Sequence, residues 1–215
     1  MQLLVLLIVS VFTLGACQVF DLAYTWTDLP SDSILFQDDF KDPSSGWKNL
    51  TYSDLGARYY EDGSYRIVIN ATNGLITATP GLNFADVHVY VDVTKKTGTD
   101  DNIYGVICRW KDDHNYYFMI ISSDGYYGIG KAVNGQQTLI GSKNMPPSEI
   151  IHQGFSSNLL RADCVGDTLT LYVNGEHLIS VRDTEFSLGD VGLLAGTLDD
   201  PGLEISFSNF HVRKP

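Results

Sequence analysis

The sequence predicts an all-β fold, an antiparallel β-sandwich spanning residues 34–215. Apolar residues fall in roughly a dozen short runs, several with strict two-residue alternation. Glycine, proline, asparagine and aspartate punctuate those runs at regular spacing. The chain of 215 residues has 20 glycines, 12 tyrosines and 44% hydrophobic residues, which favours strands, turns and a sizeable core over helices. No long helical pattern, internal repeat or linker interrupts residues 34–215.

Residues 34–40 read as the first strand. The Asp42-Pro43-Ser44-Ser45-Gly46 turn leads to Trp47, which reads as a plug packing a loop. Two strands fit within residues 56–70, joined at Glu61-Asp62-Gly63-Ser64, the second being residues 65–69. Asn73-Gly74 predicts a hairpin into Leu75–Ala78. In residues 85–94 Val87, Val89, Val91 and Val93 alternate with His88, Tyr90 and Asp92, so one face is buried and the other wet. His88 is expected to face solvent.

Residues 103–131 read as three strands joined by two tight turns. Residues 138–141 follow, and then a connector over 143–154 with room for one helical turn at Met145-Pro146-Pro147-Ser148-Glu149. Residues 158–165 and 168–173 form a hairpin across Gly166-Asp167. Asn174-Gly175 starts another hairpin into residues 177–181. Residues 189–195 and 203–212 complete the set, with Asp199-Asp200-Pro201-Gly202 between them. The last strand is expected to pair with the first at Phe36.

The net charge of −12 argues against a nucleic-acid partner, because phosphate binding needs a basic footprint. Residues 1–14 are almost wholly apolar and short for a membrane span, so they read as the apolar region of an export signal, although no Lys or Arg precedes them. The run Leu14-Gly15-Ala16-Cys17 resembles the lipobox of bacterial lipoproteins. That resemblance implies removal of residues 1–16, acylation of Cys17 and a tether over residues 17–33. The protein is then expected on the extracytoplasmic face of a cell membrane, held by its lipid. The alternative is an ordinary signal with a chance cysteine.

The ordered motifs of the remainder resemble a family. These are DDF at 38–40, the Gly46-Trp47 turn, CRWKDDHNYYFMIISSDGYYGIGK at 108–131, LRADCVGDTLTLYVNGE at 160–176, GDVGLLAGT at 189–197 and FSNFHV at 207–212. Together they resemble the concanavalin A-like lectin/glucanase superfamily, in its laminin G-like and 3-keto-disaccharide hydrolase-like branch. The resemblance implies a concanavalin A-like jelly roll. Lectins, hydrolases and adhesion modules share that fold, so the activity has to be argued from a site.

In an exported chain Cys108 and Cys164 are the pair left once Cys17 is modified, so a disulfide is expected; the alternative is two buried thiols. If they bridge adjacent strands, strand parity puts Tyr104, Val106, Trp110, Leu160 and Ala162 toward the core. Ile107, Arg109, Leu159, Arg161 and Asp163 then share the opposite face. Tyr127 and Lys131 join them if Gly128 and Gly130 point inward. In the resembled fold a curved sheet often binds sugar on its concave side. Arg109, Tyr127, Lys131, Arg161 and Asp163 are therefore the candidate ligand contacts, with guanidinium donors for hydroxyls and a tyrosine ring for a sugar face. A purely structural ion-pair network is the competing reading. Trp47, Trp110 and Tyr172 are further possible platforms, with Trp110 assigned to the core by parity.

Some resembling domains carry structural calcium near the joined termini, which would implicate Asp38 or Asp39. No metal-ligand spacing links the five histidines. The five glutamates do not form the E-x-D-x-x-E strand of retaining glucanases, and no other catalytic signature is present. The expected function is a lipid-anchored module that binds glycan, or another cell-surface ligand, without catalysis. The alternatives are a structural or protein-interaction module and a hydrolase acting on a 3-keto disaccharide.

Overall fold

Alternation along the strands builds the core. Val87, Val89, Val91 and Val93 are all at most 1% exposed, while His88, Tyr90 and Asp92 between them are half-buried. A computed structural model describes residues 33–215. The readings placed on residues 1–32, namely the leader, the Cys17 modification and the tether, lie outside the described residues.

In chain order the strands are β1 (Ile34–Asp38), β2 (Leu50–Tyr52), β3 (Gly56–Glu61), β4 (Ser64–Ile69), β5 (Leu75–Ala78), β6 (Val87–Thr97), β7 (Asn102–Asp112), β8 (Asn115–Ile121), β9 (Tyr127–Val133), β10 (Gln136–Leu139), β11 (Ser157–Val165), β12 (Thr168–Val173), β13 (Glu176–Arg182), β14 (Asp190–Thr197) and β15 (Leu203–Arg213). The larger sheet runs β13-β12-β11-β6-β15-β4-β3-β2, with β1 also on β15. The smaller runs β10-β9-β8-β7-β14-β5. Every pairing is antiparallel, and Phe36 lies opposite Val212 as expected.

Between the sheets the larger contributes Ile67, Leu160, Leu171, Ile205 and Phe207, and the smaller Tyr104, Val106, Tyr117, Met119 and Leu193, each fully buried. Trp47 closes one end, packed against Phe40, Tyr65 and Phe210 with ring centroids 5.5, 5.4 and 5.0 Å away.

Cys108 and Cys164 are disulfide-bonded, with Cα atoms 6.8 Å apart. They do not bridge adjacent strands. Cys108 is on β7 of the smaller sheet and Cys164 on β11 of the larger, so the bond crosses the core. Their inward neighbours Tyr104, Val106, Leu160 and Ala162 are buried as parity requires.

Parity fails just beyond Cys108. Arg109 has φ +53° and the β7–β8 register shifts between Cys108 and Asp112. This bulge exchanges the faces of the residues that follow. Trp110 therefore packs with Ile107, Phe118 and Leu194 on the outer face of the smaller sheet instead of entering the core.

Two local expectations are also corrected. Asn73-Gly74 makes no hairpin, because β4 belongs to the larger sheet and β5 to the smaller. The Gly74 amide donates to Thr197 Oγ1 at 3.0 Å and the Thr197 amide to Gly74 O at 2.9 Å, which carries the chain across the gap. Residues 143–154 contain no helical turn. Pro147 bridges to Tyr126, and two consecutive prolines supply no amide donors.

Candidate functional site: the outer face of the larger sheet

Five neighbouring strands of the larger sheet place polar and aromatic side chains in two rows. Register puts Arg161 opposite Tyr90 on one side and Tyr172 on the other. His211 lies beyond Tyr90 and His177 beyond Tyr172. The adjacent row is Arg213, His88, Asp163, Thr170 and Ser180, by the same pairings. With strands about 4.8 Å apart, each row spans roughly 19 Å. The residues alternating with them, Val89, Val91, Ala162, Leu171 and Val212, are core, so both rows lie on the outer side of the sheet, where Arg213, Asp163 and Thr170 of the second row are nonetheless buried.

Arg161 is the centre of this array. Its Cζ lies 4.6 Å from the Tyr172 ring centroid and 5.4 Å from that of Tyr90. Nε and Nη2 donate to the two oxygens of Asp163 at 2.7 and 2.8 Å, a bidentate pair that fixes the guanidinium plane. His88 Nδ1 lies 2.6 Å from Asp163 Oδ1. Burial alone would raise the Asp163 carboxyl, but the close His88 ring and the hydrogen bonds from Arg161 outweigh it and hold the group below its ordinary value. Thr170 Oγ1 and His177 Nε2 each lie 2.9 Å from Ser180 Oγ. The His177 ring meets Tyr172 edge-on at 5.4 Å.

This packing decides what a ligand would touch. Tyr172 has the guanidinium against it on one side and His177 on the other, so it offers an edge and a hydroxyl, not an open platform. The face is a hydrogen-bonding surface of phenol, hydroxyl, imidazole and guanidinium groups. Both Asp163 oxygens are already engaged, which leaves that carboxylate poorly placed for acid or base work.

The structure brings together two of the five candidate contacts, Arg161 and Asp163. Arg109 is elsewhere and 2% exposed. Its Nε donates to Ala85 O at 3.2 Å, Nη1 to Phe186 O at 2.9 Å, and Nη2 to Gly166 O at 2.8 Å and Asp86 Oδ1 at 3.1 Å. The bulge turns this side chain into a strut joining three loops.

Tyr127 and Lys131 share the inward row of β9 with the core residue Ile129. Gly128 and Gly130 point outward, beneath Leu139, Met145 and Phe118, and β9 belongs to the smaller sheet, so neither side chain joins Arg161. Lys131 Nζ reaches Asp183 Oδ2 at 2.7 Å and Glu185 Oε2 at 3.3 Å at the rim of the sandwich. The outer face of the smaller sheet is apolar, built from Ile107, Phe118, Ile120 and Leu194.

Asp38 accepts hydrogen bonds from the Phe40 amide and the Ser45 hydroxyl, and exposed Asp39 pairs with Lys41 at 2.7 Å. Among the described residues no group of three or more His, Cys, Asp or Glu side chains is arranged to hold a metal ion.

Tyr90, His88, Thr170, His177 and Ser180 were not candidate contacts from sequence. Alternation put His88 and Tyr90 on a wet face, but only the β6–β11 pairing, between strands far apart in the chain, places them beside Arg161 and Asp163.

The two sheets and their antiparallel order define a concanavalin A-like jelly roll. Among solved structures the chain is similar to the carbohydrate-binding module CBM66 from Bacillus subtilis, at 20% identity with a TM-score of 0.63, covering 79% of this chain and 96% of that one. It is similar to a Bacillus subtilis protein of unknown function with a galectin-like fold, at 11% identity and a TM-score of 0.63, covering 85% and 96%. It is also similar to a Bacillus licheniformis β-glucanase, at 10% identity and a TM-score of 0.59, covering 84% and 98%. These likenesses concern fold. No protein-family model matches the sequence, and no curated protein matches it.

Proposed function

We propose that this chain is a lectin-like module that binds glycan on the outer face of its larger sheet without cleaving it. The observation that carries the reading is Arg161, held flat between Tyr90 and Tyr172 and locked by Asp163. A pre-ordered donor among hydroxyl groups suits sugar hydroxyls, since little side-chain entropy remains to be lost on binding. The similar solved structures include a carbohydrate-binding module and a glucanase, which supports a sugar ligand on this architecture. The order of motifs in residues 108–131 and 160–176 supports the laminin G-like branch of the superfamily.

The same proposal places the protein on the extracytoplasmic face of a membrane, anchored through lipid on Cys17. Two observations support it: the Leu14-Gly15-Ala16-Cys17 run and a disulfide suited to an oxidising compartment. Mass spectrometry of the mature protein tests this; a diacylated N-terminal Cys17 is expected, and an unmodified Cys17 overturns it.

Binding is tested on a glycan array with the wild type, Arg161→Met and Tyr172→Phe. The expected result is a reproducible glycan hit weakened about tenfold or more by Arg161→Met. Tyr172→Phe removes one hydroxyl and should weaken the same hit while leaving the fold unchanged. Absence of any glycan hit, or equal binding by all three proteins, refutes the reading.

A further inference from the structure

A second polar array lies where β13 leaves the larger sheet. An open cavity of about 510 Å³ is lined by Lys131, Arg182, Asp183, Thr184 and Glu185. Its back wall is ordered. Tyr117 OH donates to Asp183 Oδ1 at 2.6 Å, and Lys131 Nζ donates to Asp183 Oδ2 at 2.7 Å. The Phe186 amide donates to Tyr117 OH at 3.0 Å, and the Glu185 amide to Asp183 Oδ1 at 2.9 Å. Burial, reinforced by the bond to Asp183, pushes the Tyr117 hydroxyl up to about 12, so it stays a donor at neutral pH. Asp183 is thereby satisfied on both oxygens.

The groups toward the opening are the Arg182 guanidinium, the Thr184 hydroxyl and Glu185, whose Oε2 also accepts from Lys131 at 3.3 Å. Arg182 is 79% exposed on its side chain, and its ion-pair partner Asp167 is 3.9 Å away, so the guanidinium is available. Two cations and two carboxylates line the cavity and their formal charges cancel. An anion meets Asp183 and Glu185 there, and a cation meets Lys131 and Arg182. The match is an uncharged ligand with several hydroxyls, which can accept from Arg182 and donate to Glu185.

Strand register links the Arg182 edge of the cavity to the Arg161 face. Tyr172 pairs with His177, Thr170 with Ser180 and Thr168 with Arg182 along β12 and β13. From Tyr172 to Thr168 is four residues, roughly 13 Å of strand. The path between is polar, because the Thr170 and Ser180 hydroxyls bond each other on the outer face. The distance exceeds a single sugar ring and suits an oligosaccharide.

We infer that the Lys131–Arg182–Glu185 cavity is a second subsite, which takes a neutral sugar unit of an oligosaccharide whose other end lies at Arg161. The inference rests on the glycan reading of the Arg161 face. It implies that binding strengthens with chain length, is insensitive to ionic strength and prefers neutral sugars over uronic acids.

The test is isothermal titration with neutral gluco-, xylo- and galacto-oligosaccharides, from monosaccharide to hexasaccharide, at low and high salt. The proteins are the wild type, Arg182→Ala, Glu185→Gln and Arg161→Met. The expected result is that longer chains bind the wild type about tenfold tighter than the shortest that binds. Arg182→Ala and Glu185→Gln should abolish that increment and leave the shortest ligand unaffected, while Arg161→Met weakens every length. If long chains keep their advantage in both cavity variants, or if affinity collapses with salt, the subsite is refuted and the Arg161 face stands. If no oligosaccharide of any length binds the wild type, the glycan reading falls and the subsite with it.

Discussion

Replacing Arg109 with methionine should destabilise the protein strongly without removing a ligand contact. The side chain is 2% exposed, and its guanidinium donates to the carbonyls of Ala85, Gly166 and Phe186. These groups belong to the approach to β6, the β11–β12 turn and the β13–β14 connection, so one residue holds three loops together. Hydrogen bonds from a charged donor contribute about 1.5–3 kcal/mol each. Ala85 and Gly166 are exposed, so water can re-enter when the guanidinium is removed, and the low end of that range applies. Three such bonds amount to about 4.5 kcal/mol. The pair with Asp86 is left out of the sum, because that carboxylate is 47% exposed and screened. The positive φ is the same for methionine as for arginine and cancels in the comparison. Guanidinium chloride unfolding followed by tryptophan fluorescence measures the effect, as a midpoint shift on the order of 1 M. A loss below about 1 kcal/mol would refute the strut. Glycan binding weakened in a variant that is otherwise fully folded would return Arg109 to the ligand site.

Removing the disulfide in a Cys108→Ala/Cys164→Ala double variant should cost about 4 kcal/mol, since the bond closes a loop across a sequence separation of 56; two free thiols in the denatured, unreduced wild type would contradict the bond itself. Asp163 governs acid stability with a definite sign. Its folded carboxyl titrates below the ordinary 3.8, so its contribution is complete above that value and lost as pH falls through the folded value. Asp163→Asn should therefore be less stable than the wild type at neutral pH, with the gap closing in strong acid. A gap that is constant with pH would mean the pairing with Arg161 and His88 carries no net stabilisation. Gly130→Ala should destabilise, because the added methyl would meet Phe118 Cζ at 2.3 Å and Thr138 O at 2.6 Å; an unchanged melting temperature would show that β9 and β10 yield freely.

Much of the architecture is legible in the sequence because it depends on local period. The alternation of Val87–Val93, the turns at Asp62-Gly63 and Asn174-Gly175 and the pairing of Phe36 with the last strand all follow from residues close in the chain or from the meeting of its ends. Sheet membership is less legible. Asn73-Gly74 has hairpin chemistry, yet its partners are Thr197 and Leu198, far along the chain. Likewise the cysteines pair as expected, but across the core and not along one sheet.

The candidate site was half legible for the same reason. Arg161 and Asp163 stand two apart on one strand, so their common face is a local fact. Their neighbours Tyr90 and His88 come from β6, and no short-range signal announces the β6–β11 pairing. Arg109 was misplaced because β7 lies in the smaller sheet, across the core from Arg161, and its φ of +53° then turns the side chain among the loops, where arginine does not advertise a bulge as glycine would. The orientation of Lys131 turned on which way Gly128 and Gly130 point, and a glycine's sequence context does not say.

The most direct test of glycan binding at the Arg161 face is backbone NMR of the labelled protein titrated with the best-binding neutral oligosaccharide from the array. Shifts are expected at Tyr90, Arg161, Tyr172 and His177, extending along β13 to Arg182 as the oligosaccharide lengthens. Shifts confined to the outer face of the smaller sheet, around Ile107, Trp110 and Phe118, would contradict binding at the Arg161 face.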